Sequence, residues 1–229
     1  MHKKSSEKII MYIDYKITDA DSNEVEVKEI VKEISTFKLV NSITAPYYLI
    51  KTIKSNLDTK DISLSCAIDY PLGFSDPKTR LTAIDSAIKL GVNMIDIVMP
   101  QNLASNRKYD KIREDVKQTL EICSPNQVEP RYILEYRVFD HHCLKKICEI
   151  LDSFGIKKVF PSTGYFIDNL ADNLIASDFL HQNSKDLQII CSANIWNPKQ
   201  FELLNKANIF GIRISYLEIL RNFLTYNLS

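Results

Sequence analysis

The chain has 229 residues, with 29 basic side chains against 29 acidic ones, a formal net charge of zero and 45% hydrophobic residues. That balance removes any overall electrostatic argument for nucleic acid or an anionic membrane as partner, and the apolar fraction suffices for a sizeable core and argues against disorder. No apolar run approaches the ~18 residues a membrane helix needs, and the opening MHKKSSEKII has basic residues with no apolar stretch behind them to read as a signal peptide.

In chain order, IIMYIDYKI (9–17) reads as a strand, followed by a helix SNEVEVKEIVKEIS (22–35) with Ser22 or Asn23 as its cap. FKLVNSI (37–43) and ISLSCAIDY (62–70) are the next strands, separated by a helical APYYLIKTIKSNL (45–57). DPKTRLTAIDSAIKLG (76–91) starts as a helix should, with Asp76 at the cap and Pro77 at the first position, and stops at Gly91. Strand NMIDIVMP (93–100), helix YDKIREDVKQTLEIC (109–123), strand PRYILEYRV (130–138), helix DHHCLKKICEILDSFG (140–155) and strand IKKVFPS (156–162) continue the alternation. Helix DNLADNLIASDFLHQ (168–182), strand LQIICSA (187–193), helix NPKQFELLNKA (197–207), strand IFGIRIS (209–215) and helix YLEILRNFLTYN (216–227) close it.

Alternation of this kind implies parallel strands with crossover helices, and eight such units in this length predict an α/β fold of the (β/α)8 TIM-barrel type. No linker or composition shift interrupts it, so the expectation is a single domain over 1–229. An open doubly wound sheet is the second choice, disfavoured because no Gly-rich phosphate fingerprint follows the first strand. Five scattered cysteines (Cys66, Cys123, Cys143, Cys148 and Cys191) without a C-x-x-C pair fit reduced thiols better than disulfides or a zinc site. The chain is therefore expected to be cytoplasmic, with no metal, no cofactor, no membrane and no nucleic-acid partner.

Three stretches together resemble deoxyribose-phosphate aldolase. AIDYPLGFSDPKTRLTAIDSAIKLGVNMIDIVMP (67–100) is similar to that family's third strand, Pro-Leu-Gly loop, helix and fourth strand. RYILEYRVFDHHCLKKICEILDSFGIKKVFPSTGY (131–165) resembles its fifth strand and helix and its sixth strand with a Ser-Thr-Gly turn, and MYIDYKITDADSNEVEVKEIVKEI (11–34) its opening strand and first helix. The family makes and breaks carbon–carbon bonds through a Schiff base, in which a neutral lysine amine attacks a carbonyl and the iminium becomes an electron sink. The resemblance places that lysine two residues before the Ser-Thr-Gly, where this chain has Phe160, and a second lysine on the seventh strand, where it has Cys191.

Other positions carry over from the resemblance. Asp14 and Asp96 match acidic residues that handle protons and substrate hydroxyls; Ser162, Thr163 and Gly164 match one lobe of a phosphate site. The second lobe has become Asn194-Ile195, and the small eighth-strand motif has become GIRIS (211–215), with Arg213. Lys16 shares the inward face of Asp14 near the barrel mouth, and Lys158 shares that of Phe160 one layer deeper; each is a candidate relocated amine, because a buried lysine tends to lose its proton. The alternative for Lys16 is an ion pair with Asp14, Asp96 or Glu135. Arg137 and Arg213, with Lys16, are candidates for a cationic rim that takes a carboxylate or phosphate, or are simply ion-paired. Cys191 reads as a small core residue, His141-His142 as surface histidines that cannot chelate in the i, i+4 manner, and Trp196 as a packing residue near the mouth.

Two functions follow. One is an aldolase-like barrel without the ancestral activity, binding a ligand or partner, in which Phe160 and Ile195 fill the old pocket and the acids neutralise Lys16 and Arg213. The other is a divergent lyase acting on a small phosphorylated sugar or aldehyde through Lys16 or Lys158. A small phosphorylated or anionic ligand and a homo-oligomer are the partners the resemblance implies.

Overall fold

The computed structural model describes residues 11–57, 60–166 and 168–228. Eight parallel strands hydrogen-bond in sequence order and close on themselves: β1 (Tyr12–Lys16), β2 (Val40–Ala45), β3 (Ser63–Ile68), β4 (Met94–Val98), β5 (Glu129–Ile133), β6 (Lys158–Phe160), β7 (Gln188–Cys191) and β8 (Gly211–Ile214). The helices between them are α1 (Glu24–Ile34), α2 (Ile50–Asn56), α3 (Pro77–Lys89), α4 (Gln101–Ser105), α5 (Tyr109–Cys123), α6 (His141–Ser153), α7 (Leu170–Gln182) and α8 (Phe201–Lys206), and α9 (Leu217–Leu228) follows β8. This is the (β/α)8 barrel expected from the alternation.

Local chemistry sets the helix starts. The Asn23 side chain accepts from the Val25 and Glu26 amides, Asp76 from those of Lys78 and Thr79, Asp140 from Cys143 and Asn169 from Asp172, each satisfying amides that the first helical turn leaves unpaired. Burial follows the 3.6-residue period: α1 covers Val27, Val31 and Ile34 against the sheet. Along β1 the two-residue period turns Ile13 and Tyr15 outward into the helix layer and Asp14 and Lys16 into the lumen. A smaller apolar cluster of Val98, Ile133, Phe160 and Ile190, one residue from each of β4 to β7, packs apart from the helix layer.

Three elements differ from expectation. The strand expected over 130–138 stops at Ile133, because Glu135 adopts φ +54° and cannot continue the pleat. The helix expected over 45–57 begins only at Ile50, after β2 runs on to Ala45 and a 3-10 turn spans Tyr47–Leu49. The short α4 after β4 had no expectation. No helix among the described residues is long and apolar enough to cross a membrane.

Barrel closure depends on a close approach between β8 and β1. A Cβ on Gly211 would lie 2.5 Å from the Tyr12 carbonyl oxygen, inside the closest real contacts. Gly211→Ala is therefore expected to push β8 off β1 and to lower unfolding stability by about 1–3 kcal/mol, read as a fall in the urea midpoint. An unchanged midpoint would mean that the closure tolerates the methyl group.

Candidate functional site

The centre of the lumen is filled by four charges. Asp14 and Asp96 face Arg131 and Arg213, all of them fully or almost fully buried. Arg131 Nη2 donates to Asp14 at 2.9 Å and its Nε to Asp96 at 2.7 Å; Arg213 Nε donates to Asp14 at 2.6 Å and its Nη2 to Asp96. Ser42, Ser65 and Thr44 hydroxyls complete the carboxylates' shells. Burial alone would raise the Asp96 carboxyl, but the two guanidiniums outweigh it and hold Asp96 below the usual range. The Phe160 ring lies against both arginines, its centroid 3.7 Å from the Arg213 guanidinium carbon and 5.0 Å from that of Arg131, within cation–π range. Both acids sit in a closed, formally neutral quartet. Arg213 is committed to it and is not part of a cationic rim.

The Ser162–Gly164 turn is likewise occupied from within. The Thr163 amide and hydroxyl both donate to one oxygen of Glu135, at 3.0 and 2.5 Å. The Ser162 amide donates to the Ser192 hydroxyl at 3.1 Å, and the Ser162 hydroxyl donates to Asp168 at 2.5 Å. Glu135 is 1% exposed, and burial, the largest influence, raises its carboxyl despite the Thr163 hydrogen bonds. The Ser162 and Thr163 donors expected to cradle an external anion thus serve internal groups. Arg137 points elsewhere, toward Asp172 at 3.4 Å and Asp168 at 3.8 Å on the α7 side.

Lys16 is different. It ends β1 at the mouth and is only 7% exposed, and among the described residues it makes no ion pair. Its Nζ donates to the Thr163 carbonyl at 3.4 Å and lies 5.8 Å from the centre of the Tyr70 ring. Burial, then the charge of Arg213, lower its pKa to about 8, with Asp19 and Asp14 pulling the other way. A sizeable fraction of the amine is therefore neutral near physiological pH. It opens into a pocket of about 540 Å³ bordered by Asp19, Tyr48, Tyr70, Gly164, Asn194 and Tyr216, among others. At Gly164, φ is +71° and an added Cβ would meet Lys16 Nζ at 3.3 Å, so the turn stays bare beside the amine.

Lys158 is not at this mouth. As the first residue of β6 it sits at the opposite end of the barrel, bonded to both oxygens of Glu129 at 2.7 and 2.9 Å and near the Tyr12 ring; its strand begins only at Lys158 itself, too late to carry the side chain up to the site. Cys191 is buried, which pushes its thiol up to about 12 and keeps it protonated. His141 stacks on Phe179, and among the described residues no cluster of metal-ligating side chains occurs. Sequence reasoning passed over Arg131, whose position two residues before Ile133 on an inward face was the available signal. It named Glu135 only as a partner for Lys16, and the left-handed backbone that turns it to Thr163 has no sequence signature.

No family model matches the chain. It is similar to the deoxyribose-phosphate aldolase of Clostridium tetani, 25% identical over 154 residues that cover 67% of this chain and 70% of that protein. It is also similar to that of Syntrophotalea carbinolica, 24% identical over 171 residues and 75% of each chain. Among solved structures, the aldolase QR15 matches with a TM-score of 0.78 at 20% identity, covering 93% of this chain and 96% of that one. The tetrameric deoxyribose-phosphate aldolase of Aeropyrum pernix matches at 0.79 and 15%, covering 93% and 88%. The structural likeness carries the fold; the sequence matches make these aldolases the chain's relatives.

The quartet makes a stability prediction. Arg131→Met leaves two buried carboxylates facing one cation and is expected to cost about 3–5 kcal/mol, measured by chemical denaturation at neutral pH. Because the Asp96 carboxyl is held low in the fold, its contribution is complete above the ordinary aspartate value near ~3.9. It is lost as the pH falls through the lower folded value. Wild-type stability should therefore drop on acidification below ~4; a flat profile there would contradict the pairing.

Proposed function

We propose that this relative of the deoxyribose-phosphate aldolases has lost amine chemistry on its sixth and seventh strands, and that Lys16 is its carbonyl-reactive group, forming an imine with a small uncharged aldehyde or ketone. The observation that carries this reading is the geometry of Lys16: a buried amine at the barrel mouth, without an ion pair among the described residues, open to a cavity large enough for a small molecule. Phe160 and Cys191, read as the successors of the family's two lysines, bear no amine, and Phe160 is packed against the arginines of the quartet. The phosphorylated substrate implied by the resemblance is not favoured, because the amides of Ser162 and Thr163 and the Arg213 guanidinium already have partners.

In this reaction the neutral Lys16 amine adds to the carbonyl carbon, one proton is taken up and water leaves; in a substrate with a β-hydroxyl, the iminium then draws electrons from the bond between the α and β carbons as the β-hydroxyl gives up its proton and becomes a carbonyl. Asp19 borders the same pocket and is the carboxylate placed to exchange protons with the bound molecule. The competing reading, a barrel that binds without turnover, draws support from the closed quartet, which leaves neither Asp14 nor Asp96 free to move a proton.

Borohydride trapping with acetaldehyde, followed by intact mass and peptide mapping, separates the two. The expected result is a reduced adduct on Lys16 that is absent from Lys16→Met. Its rate should rise through a pH of about 8 and level above it, because only the neutral amine attacks. Absence of any Lys16 adduct, under conditions that label a deoxyribose-phosphate aldolase, would favour the binding protein.

A further inference from the structure

The mouth around Lys16 is built from aromatic rings delivered by separate loops. Tyr48 lies between β2 and α2, Tyr70 between β3 and α3, Tyr165 between β6 and α7, Trp196 between β7 and α8, and Tyr216 between β8 and α9. Four of these are unusually open for large apolar side chains: Tyr48 is 54% exposed, Tyr165 62%, Trp196 59% and Tyr216 41%. Exposed rings that converge on one cavity mark a binding site more often than a bare surface does. Tyr48, Tyr70, Tyr165 and Tyr216 border the pocket, and the Trp196 ring lies tilted against Tyr216 with ring centres 5.4 Å apart.

The polar handles of this collar are partly committed. The Tyr48 hydroxyl donates to the Ser22 carbonyl at 3.1 Å and the Tyr70 hydroxyl to the Thr163 carbonyl at 3.2 Å. Each of these contacts ties the hydroxyl to the main chain, so what the two residues have left to offer is ring. The Tyr70 ring lies directly beside the Lys16 amine. Among the described residues, Lys16 and Asp19 are the charged groups along the pocket, and they offer an anion no second cation.

From this we infer that the collar selects a carbonyl compound with a flat aryl body, its carbonyl carbon reaching Lys16 Nζ while its ring packs among Tyr70, Tyr165 and Tyr216. The inference rests on the assignment of Lys16 as the reactive amine and adds the substrate class. The step balances: the protonated lysine and an aryl aldehyde give the protonated imine and one water, the carbon–nitrogen bond replacing the carbon–oxygen bond. Offset or edge-on ring contacts then add to the burial of the ring.

The test measures borohydride trapping of benzaldehyde, acetaldehyde and 2-deoxyribose, each rate divided by the rate of the same aldehyde with free Nα-acetyl-lysine. The normalised rate at Lys16 is expected to be about tenfold higher for benzaldehyde than for the other two, and that preference should fall to about threefold or less in Tyr165→Ala or Tyr216→Ala. Equal normalised rates, with Lys16 labelled by every aldehyde, would overturn the aryl selection and leave Lys16 standing as the amine. If no aldehyde labels Lys16, it is the earlier assignment that fails, and an unreactive probe still decides the collar. Trp196 is the only tryptophan in the chain, so its fluorescence reports on the mouth. Saturable quenching by benzamide but not by acetamide supports the aryl site, and equal or absent quenching by both overturns it.

Discussion

The structure turns on one constraint, the placing of four charges inside a narrow barrel. Each of these ions would cost several kcal/mol to strip of water alone. Two carboxylates and two guanidiniums solve this together, each arginine bridging both aspartates. Ser42, Thr44 and Ser65 take up acceptor sites that the guanidiniums leave. Phe160 then covers the arginine faces. Once this arrangement exists, an ammonium at Phe160 would add a fifth charge, a third and uncompensated cation. The absence of a lysine there and the presence of Arg131 and Arg213 are two sides of one electrostatic balance.

On the proposed reading, the reactive amine lies outward along the strands from the quartet. Lys16 sits two residues beyond Asp14 on the same face, just past the quartet, where the lumen opens. Its environment is asymmetric: burial and then the Arg213 charge disfavour its proton, and the smaller effects of Asp19 and Asp14 favour it. The quartet therefore sustains the fold and, through Arg213, also tunes the Lys16 amine at the mouth. An Arg213 substitution would perturb both at once, which is why the reactivity of Lys16 is better probed at Lys16 itself.

The barrel was legible in the sequence because strand and helix periods alternate eight times and helix starts carry readable side-chain caps at Asn23 and Asp76. Lys16 could be placed on an inward face by the two-residue period alone. What periodicity does not carry is which inward charges meet. Arg131 and Arg213 lie on β5 and β8, 82 residues apart, and their shared contacts with Asp14 and Asp96 arise only when the barrel closes. Lys158 failed for a related reason: alternation gives a residue's face but not its height in the barrel, and the strand starts at Lys158 itself.

Glu135 shows how far the anion turn has changed in kind. Its left-handed backbone ends β5 early and swings the carboxylate onto the Thr163 amide and hydroxyl, so a protein carboxylate holds the position that the turn's shape suits to an anion. The other carboxylate oxygen, Oε1, is buried without a hydrogen-bond partner among the described residues, a cost that would be hard to sustain were the contact to Thr163 weak. A ligand phosphate would have to displace this internal carboxylate and then lie beside it. The same turn supplies the Thr163 carbonyl to Lys16 and Tyr70. The filled turn thus holds the amine and the first ring of the collar in place, and a loop whose resemblance implied an anion site becomes one wall of the pocket at Lys16.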